Sequence, residues 1–434
     1  MLRPLVRPGA HLVVGLSGGL DSVTLLAVLA ELAGPMGFSL RALHVNHGIS
    51  PNASHWAAFC ETLCADLGVP VQVEQARIED TRSLGLEGAA RRARYAIFAR
   101  EYGDFIVLGH HRDDQAETLL LQLLRGAGPL GMAGMPELRA LPGSRARVLR
   151  PLLGVARSEI EAWAREHGLR WIEDESNDDL ALQRNFVRHR VLPLLEQRFP
   201  AARATAARAA SHLAEAEALL SALAHIDLEA LGREREIELA GLRRLGPARA
   251  KNALRYLCQS RAIPLPSTAQ TDELHRQLIE AQDDRTVLVE IGGWQFRRFR
   301  GRLYIERARP DVAANFREDW TGENVLPLLA LGGMLRFKPE EGCGVSVRKL
   351  DRARVTVRLR RGGERFQPDA RRPRRTLKNL LQERGIPWWR RGRWPLVYCG
   401  EELVSVPGIG DDCAWQADRS EPGVIISWET LDQT

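Results

Sequence analysis

The 434-residue chain has no C-x-x-C pair. Its six cysteines, Cys60, Cys64, Cys258, Cys343, Cys399 and Cys413, are scattered. That excludes the usual spacings of zinc ribbons and dithiol redox centres. Cys60 and Cys64 fall at i and i+4 of a helix-periodic stretch and read as reduced core thiols. No apolar run approaches the ~20 residues that span a bilayer. The start, Met1-Leu2-Arg3-Pro4-Leu5-Val6-Arg7-Pro8, has no apolar signal-peptide core, so a cytoplasmic protein without membrane contact is expected. Internal repeats and low-complexity tracts are absent too, which excludes solenoids and compositionally biased scaffolds.

What is present is ordinary for a globular protein: 44% hydrophobic and 27% charged residues. The length implies two or three domains. A net charge of +6 and a pI near 9.2 admit a polyanionic partner without requiring one.

The most informative stretch is Ser17-Gly18-Gly19-Leu20-Asp21-Ser22, directly after the apolar run Leu12-Val13-Val14-Gly15-Leu16. It reads as strand, glycine turn and helix start, which aims backbone N–H groups and a helix dipole at an anion. This loop lacks the Gly-Lys-Ser/Thr ending of a Walker loop and the G-x-G-x-x-G dinucleotide pattern. It matches instead the SGGxDS loop of enzymes that split ATP into AMP and pyrophosphate.

Strand and helix patterns alternate over the first ~200 residues. Strands are expected at 12–16, 40–45, 69–73 and 105–109, with 148–149 as a fifth. Helices are expected at 20–33, 52–67, 86–102 and 113–125. Alternation of this kind implies a Rossmann-like parallel sheet, with ligands at the carboxyl ends of its strands. An Ala-rich helix over 200–224 would leave this domain. Helices at 247–260 and 268–281 and strands at 286–291, 294–299 and 302–305 follow. Residues 310–330 read as a connector. Strands near 345–347, 355–359 and 403–406 and a helix at 376–384 complete the chain. The expected fold is therefore α/β, a parallel sheet with a pyrophosphate loop, then a mostly helical middle domain and a small α+β C-terminal domain. The expected boundaries are 1–215, 216–310 and 311–434.

Five further stretches carry chemistry. In Gly109-His110-His111-Arg112-Asp113-Asp114-Gln115-Ala116-Glu117-Thr118, Asp114 and Glu117 share a helix face. They could cap the helix, hold a cation or bind an ammonium group, and the two histidines read as buried or as phosphate contacts. A zinc site is disfavoured because no third soft ligand lies nearby. Arg91 and Arg94 in Leu86-Glu87-Gly88-Ala89-Ala90-Arg91-Arg92-Ala93-Arg94-Tyr95 line either a solvated face or a phosphate clamp. Arg184 and Arg188 stand one helical turn apart and suit either phosphate contact or surface salt bridges. The glycine-rich stretch 125–135 is either an active-site loop or a connector. Near the C-terminus, Arg374, Arg375, Lys378 and Arg390 crowd together with Trp388, Trp389 and Trp394. Cations with interleaved aromatic rings favour RNA contact over a plain solvated run.

The series SGGLDS, His44-Val45-Asn46-His47-Gly48, LEGAARRARY, GHHRDDQAET, the Arg125–Met135 glycine loop, Arg150-Pro151-Leu152-Leu153, Trp171 to Asn177 and Arg184-Asn185-Phe186-Val187-Arg188 occurs in this order. Together these motifs resemble the tRNA(Ile)-lysidine synthetase family over the first ~200 residues. The segment Arg360 to Arg365 with Leu377-Lys378-Asn379-Leu380-Leu381 and Ile386-Pro387-Trp388-Trp389-Arg390 is similar to the C-terminal signature of its long form. Gly88, where the family often has Ala, is a mild departure.

The resemblance implies a two-step ligase reaction. ATP adenylates O2 of the wobble cytidine in a tRNA(Ile) with a CAU anticodon, and free L-lysine then displaces AMP through its ε-amine. It implies ATP binding by Ser17, Gly18, Gly19, Leu20, Asp21, Ser22, His44, Gly109 and His110. It further implies Mg2+ on Asp21, catalysis by Asp21, Asp114 and Glu117, and lysine binding by Asp114 and Glu117. Contact with tRNA would fall to Arg91, Arg94, Arg184, Arg188, Arg374, Arg375, Lys378, Trp388 and Arg390, through both accessory domains. A homodimer is compatible with it. Three other readings stay open: a pyrophosphate-loop tRNA thiolase, which the scattered cysteines disfavour; a glutamine-dependent amide ligase, for which no amidotransferase domain is visible; and a noncatalytic RNA-binding protein, against which the intact loop and paired carboxylates speak.

Overall fold

The computed structural model describes residues 2, 4–79, 81–231, 237–280 and 287–430, with only the backbone described at 81–84 and 87. The expected end of a helix at Ala281 and start of a strand at Thr286 lie outside these residues. The chain divides into two compact units, Met1–Ala222 and Leu223–Thr434.

In the first unit the elements are β1 (His11–Gly15), α1 (Leu20–Met36), β2 (Ser39–Asn46), α2 (Ala53–Asp66), β3 (Val71–Gln75), α3 (Thr81–Phe98), β4 (Phe105–Val107), α4 (Arg112–Leu124), α5 (Pro129–Met132), β5 (Leu138–Ala140), β6 (Arg147–Leu149) and α6 (Arg157–Glu166). Helical segments at Gln183–Phe186, Val187–Val191 and Leu192–Arg198 lead into the long helix Ala202–Ala230. The sheet order is β3-β2-β1-β4-β6-β5. All pairs are parallel except β5 with β6, an antiparallel edge that the alternating pattern did not announce.

Leu12 to Val14 of β1 and Phe105 to Val107 of β4 are apolar because both faces are covered there. Their period of two sorts the side chains. Leu12, Val14, Phe105, Val107 and Leu149 join the core that includes Val23, Leu26 and Leu29 of α1 and Cys60 and Cys64 of α2. Val13, Ile106 and Val148 face the other way, onto Phe98, with Tyr95 and Ile97 packed alongside. The stretch α3 is two helical pieces broken at Gly85, whose φ of 69° is non-helical, so the regular helix begins at the expected Leu86. Strand order reverses between β1 and β4, the switch point at which doubly wound sheets bind ligands.

The second unit opens with helices Leu239–Arg244, Pro247–Ser260 and Thr268–His275. These cover an antiparallel sheet ordered Ile237–Glu238, Arg302–Arg307, Trp294–Phe299, Leu288–Ile291 around a separate apolar core that includes Leu254, Leu257 and Phe296. Two larger antiparallel sheets and a small pair, Arg365–Phe366 with Arg375–Thr376, follow. One centres on Val355–Arg358 and Leu396–Cys399, the other on the long pair Gly333–Glu341 with Pro422–Thr430. The connector expected over 310–330 is corrected: it holds the strands Arg317–Trp320 and Val325–Leu328. Their partners are Val355–Arg358 and Gly333–Glu341, and the polar content of Arg317–Trp320 hid its half-buried face. Among the described residues no helix is long and apolar enough to cross a membrane.

Candidate active site

The loop after β1 is held by its own serines. Ser22 Oγ accepts the Ser17 N–H at 3.1 Å and donates to the Gly19 carbonyl at 3.0 Å, while the two hydroxyls lie 3.0 Å apart. Gly19 caps α1 in an extended conformation, and the first turn of the helix carries Asp21. The Ser22 and Val23 N–H groups donate to the Gly19 carbonyl, and the Leu20 and Asp21 N–H groups of that turn are left without an intrahelical acceptor, which makes the loop an anion cradle. Gly18 has a φ of +86°, and a Cβ there would lie 2.6 Å from Ile172 Cδ1 and 3.2 Å from Cys60 Sγ. The Ile172 N–H also donates to the Gly18 carbonyl at 2.9 Å. Gly109, just beyond β4, is equally constrained, because a Cβ would meet the Asp21 carbonyl oxygen at 2.9 Å. The switch-point loops therefore touch backbone to backbone.

Behind this cradle lies a buried cluster of charge. Glu117 is fully buried and Asp114 is 6% exposed. Arg184 donates to Glu117 Oε2 at 2.7 Å and to Asp114 Oδ1 at 2.9 Å. Arg188 donates to Glu117 Oε1 at 2.6 Å and to Asp114 Oδ1 at 3.1 Å. The remaining Asp114 oxygen takes the His111 N–H at 2.9 Å, so this carboxylate does cap the helix, as the plainer reading of the motif had it. The His111 imidazole sits 3.6 Å from Asp21 and 3.5 Å from Asp114. Burial works against a proton on His111, but Asp21, Asp114 and Asp113 outweigh it and its pKa is raised. Burial would raise Asp114, yet His111, Arg184 and His110 hold it below the usual carboxylate value.

The histidines expected at the nucleotide are uncharged. His44 is buried, its Nδ1–H donates to the Leu16 carbonyl at 2.9 Å, and burial lowers its pKa. Burial, with Arg150, Arg184 and Arg91 outweighing Asp114, takes His110 down to about 3. Burial beside Arg94 and His44 takes His47 down to about 4. Cys60 and Cys64 are free, fully buried thiols pushed up to about 12 and about 11 by burial.

One cleft of about 1420 Å³ collects most of the expected residues of the first unit. It is lined by Ser17, Gly19, Leu20, Asp21 and Ser22, by His44, Gly109 and His110, by Arg91 and Arg94, and by Asp114, Glu117, Arg184 and Arg188. Arg184 and Arg188, expected at RNA, are turned onto the two carboxylates. The stretch 125–135 behaves as a connector tied to α4, where the Gln115 side chain exchanges hydrogen bonds of 2.8 and 2.7 Å with the Met135 backbone.

In the second unit the expected RNA contacts are dispersed. Arg374 pairs with buried Asp412 at 2.9 Å and Arg375 with Glu383 at 2.8 Å. Arg390 donates to Glu306 at 2.7 Å, and Trp389 stacks edge-on against Phe299 and Tyr304. Lys378 is exposed, and Trp388 is 49% exposed beneath the Arg297 guanidinium. His111 and Arg150 carry weight that the sequence reading did not give them. Arg150 directly follows β6, so the carboxyl-end rule applied to that strand would have marked it.

Asp21 Oδ1 is buried without a hydrogen-bond partner beside the anion cradle. Among the described residues no group of three or more His, Cys, Asp or Glu side chains could hold a metal by itself. One lone carboxylate oxygen next to a phosphate site fits a hard cation that takes its other ligands from phosphate and water.

A switch-point loop of this sequence and geometry defines a PP-loop enzyme that uses ATP. A PP-loop domain model matches residues 2–195, a TilS substrate binding domain model residues 238–304, and a TilS substrate C-terminal domain model residues 355–428. The tRNA(Ile)-lysidine synthase of Nitrosomonas europaea is 45% identical over 98% of this chain and 93% of its own. That of Aromatoleum aromaticum is 40% identical over 99% and 100%, and that of Coxiella burnetii 36% identical over 94% and 93%. The chain belongs to the tRNA(Ile)-lysidine synthase family and is a ligase.

Two predictions follow from this geometry. Gly18→Ala is expected to lower stability by about 1–3 kcal/mol through its left-handed backbone and the contact with Ile172, and to weaken ATP binding at least about tenfold. Denaturation and equilibrium dialysis check it, and unchanged values contradict it. The neutral histidines also make stability fall with acid. Their folded pKa values lie below the unfolded value, so stability is lost as the pH drops from about 6.5 towards 4. The raised pKa of His111 acts in the opposite sense and offsets part of this. Thermal unfolding is expected at lower temperature at pH 5 than at pH 7, and His47→Asn should recover about 1 kcal/mol of the difference.

Proposed function

We propose that the chain joins free L-lysine to C2 of the wobble cytidine of a CAU-anticodon tRNA(Ile) by way of an adenylated cytidine. The observation that carries this reading is the meeting of the pyrophosphate cradle and the carboxylate–guanidinium cluster in one cleft. At about 1420 Å³ the cleft exceeds the usual span of a small-molecule site, in keeping with a nucleotide and an RNA base together.

Cytidine O2 attacks the α-phosphorus of ATP, and pyrophosphate leaves into the loop Ser17–Ser22. Mg2+ held by Asp21 and the phosphates would neutralise the charge that develops there. The lysine ε-amine then attacks C2, AMP departs with O2, and the amine sheds a proton. Asp114 and Glu117 attract the cationic substrate, while Arg184 and Arg188 hold the two carboxylates in place. Both oxygens of Asp114 and of Glu117 are already engaged. Asp21 alone of the three has an unpartnered oxygen, which would face Mg2+ in the first step and take the amine proton in the second.

Arg91 and Arg94 at the cleft, and Lys378 and Trp388 of the second unit, are the side chains we put forward for tRNA. Arg374, Arg375 and Arg390 would contact RNA only with their carboxylate partners beside them. Residues 1–215 would act as the catalytic domain and 216–310 and 311–434 as RNA-binding domains, in a cytoplasmic enzyme compatible with a homodimer.

Asp21→Ala is expected to lower tRNA-dependent ATP–pyrophosphate exchange at least about a hundredfold. Exchange at the wild-type rate would contradict the assignment. Glu117→Gln keeps the volume and removes the charge, and should raise the lysine KM about tenfold or more while exchange persists. An unchanged lysine KM would remove Glu117 from the lysine site.

A further inference from the structure

Arg150 is the bulkiest fully buried side chain among the described residues, 1% exposed. Its three partners are all neutral. Nε donates to His110 Nδ1 at 3.3 Å, Nη1 to the Pro136 carbonyl at 2.7 Å, and Nη2 reaches the Tyr95 hydroxyl at 3.5 Å. Among the described residues no carboxylate pairs with it. The guanidiniums of Arg91 and Arg139 lie over the Tyr95 ring at 5.1 and 5.4 Å, so further cations surround the same phenol. Burying a charge without a counter-ion is costly and needs a reason beyond packing.

The contact with His110 supplies one. A guanidinium has no acceptor, so His110 Nδ1 must be the unprotonated nitrogen. In a neutral imidazole the proton is then on Nε2. His110 lines the cleft and Arg150 lies behind it, which leaves Nε2 on the cleft side. Among the described residues no partner is found for Nε2.

We propose that Arg150 is a positioning residue that locks His110 in its Nε2–H form, so that the ring presents a fixed, uncharged hydrogen-bond donor to the anionic oxygens of the nucleotide. This rests on the reading of the cleft as an ATP site. A neutral donor keeps its proton when negative charge builds on the phosphate, whereas an imidazolium would surrender one. Of the groups facing His110, Asp114 favours its protonation, while Arg150, Arg184 and Arg91 oppose it together with burial.

The first test needs no substrate. Histidine labelled with 15N and 13C in the full chain reports tautomer and titration by NMR, with the His110 signal identified by its loss in His110→Asn. The wild type should show unprotonated Nδ1 and no titration between about pH 8 and pH 5. In Arg150→Gln the ring should titrate with a midpoint above about 5 and populate the Nδ1–H form. Arg150→Lys, which keeps the charge but not the fork, carries the same test should the glutamine variant not fold. An Nδ1–H ring in the wild type, or a ring unchanged in the variants, overturns the proposal.

The second test is a double-mutant cycle on tRNA-dependent ATP–pyrophosphate exchange. Arg150→Gln should cost about tenfold or more in the wild-type background and less than about twofold in His110→Asn. Equal losses would mean that Arg150 supports the fold alone and would overturn the proposal. A wild-type chain without exchange would count against the ATP reading, while the NMR result would still decide the tautomer.

Discussion

Two buried carboxylates and the two partly exposed arginines that pair with them set the geometry of the first unit. Asp114 and Glu117 sit one turn apart on α4, and Arg184 and Arg188 one turn apart on the segment that follows Leu182. Each guanidinium spans both acids. Removing an arginine leaves a buried carboxylate short of a partner, at a cost of about 3–5 kcal/mol. The cluster therefore fixes the segment 183–191 against α4, and through the His111 N–H it fixes the start of α4 as well. That start carries Gly109 and His110 to the pyrophosphate loop, so the charge cluster and the anion cradle share one backbone turn.

The same turn brings groups that suit anions and groups that suit cations into one cleft. The cradle uses backbone N–H groups and serine hydroxyls, which bind phosphate without lending it a proton. His44, His47 and His110 stay neutral for the same reason, each kept from charging by burial. His111, buried next to the cleft-lining His110, is driven towards its charged form, wedged between Asp21 and Asp114. His111 thus sets positive charge between Asp21 of the pyrophosphate loop and Asp114 of the carboxylate cluster.

Much of this was legible in the sequence because it depends on local order. The glycine loop, the strand before it and the pair Asp114 and Glu117 are read from spacing alone, and α1 begins at the expected residue. The pairing of Arg184 and Arg188 with residues about 70 positions earlier was not legible, since solvated and buried arginines look alike in sequence. For the same reason Arg374, Arg375 and Arg390 read as RNA contacts before their acidic partners were known. Arg390 is matched by Glu306, 84 positions away. The antiparallel edge β5 was missed because three residues carry too little periodicity. The strand pair of Gly333–Glu341 with Pro422–Thr430 was missed because its partner lies far along the chain.

The central proposal is that a single cleft carries out both the adenylation of a tRNA base and the displacement of AMP from it by lysine. The direct measurement is to incubate the full chain with ATP, magnesium, radiolabelled lysine and a CAU-anticodon isoleucine tRNA transcript, and to count label in RNA. Label that requires ATP and disappears when the wobble cytidine is replaced is the predicted result. Folded, tRNA-binding protein that incorporates no lysine would contradict the account.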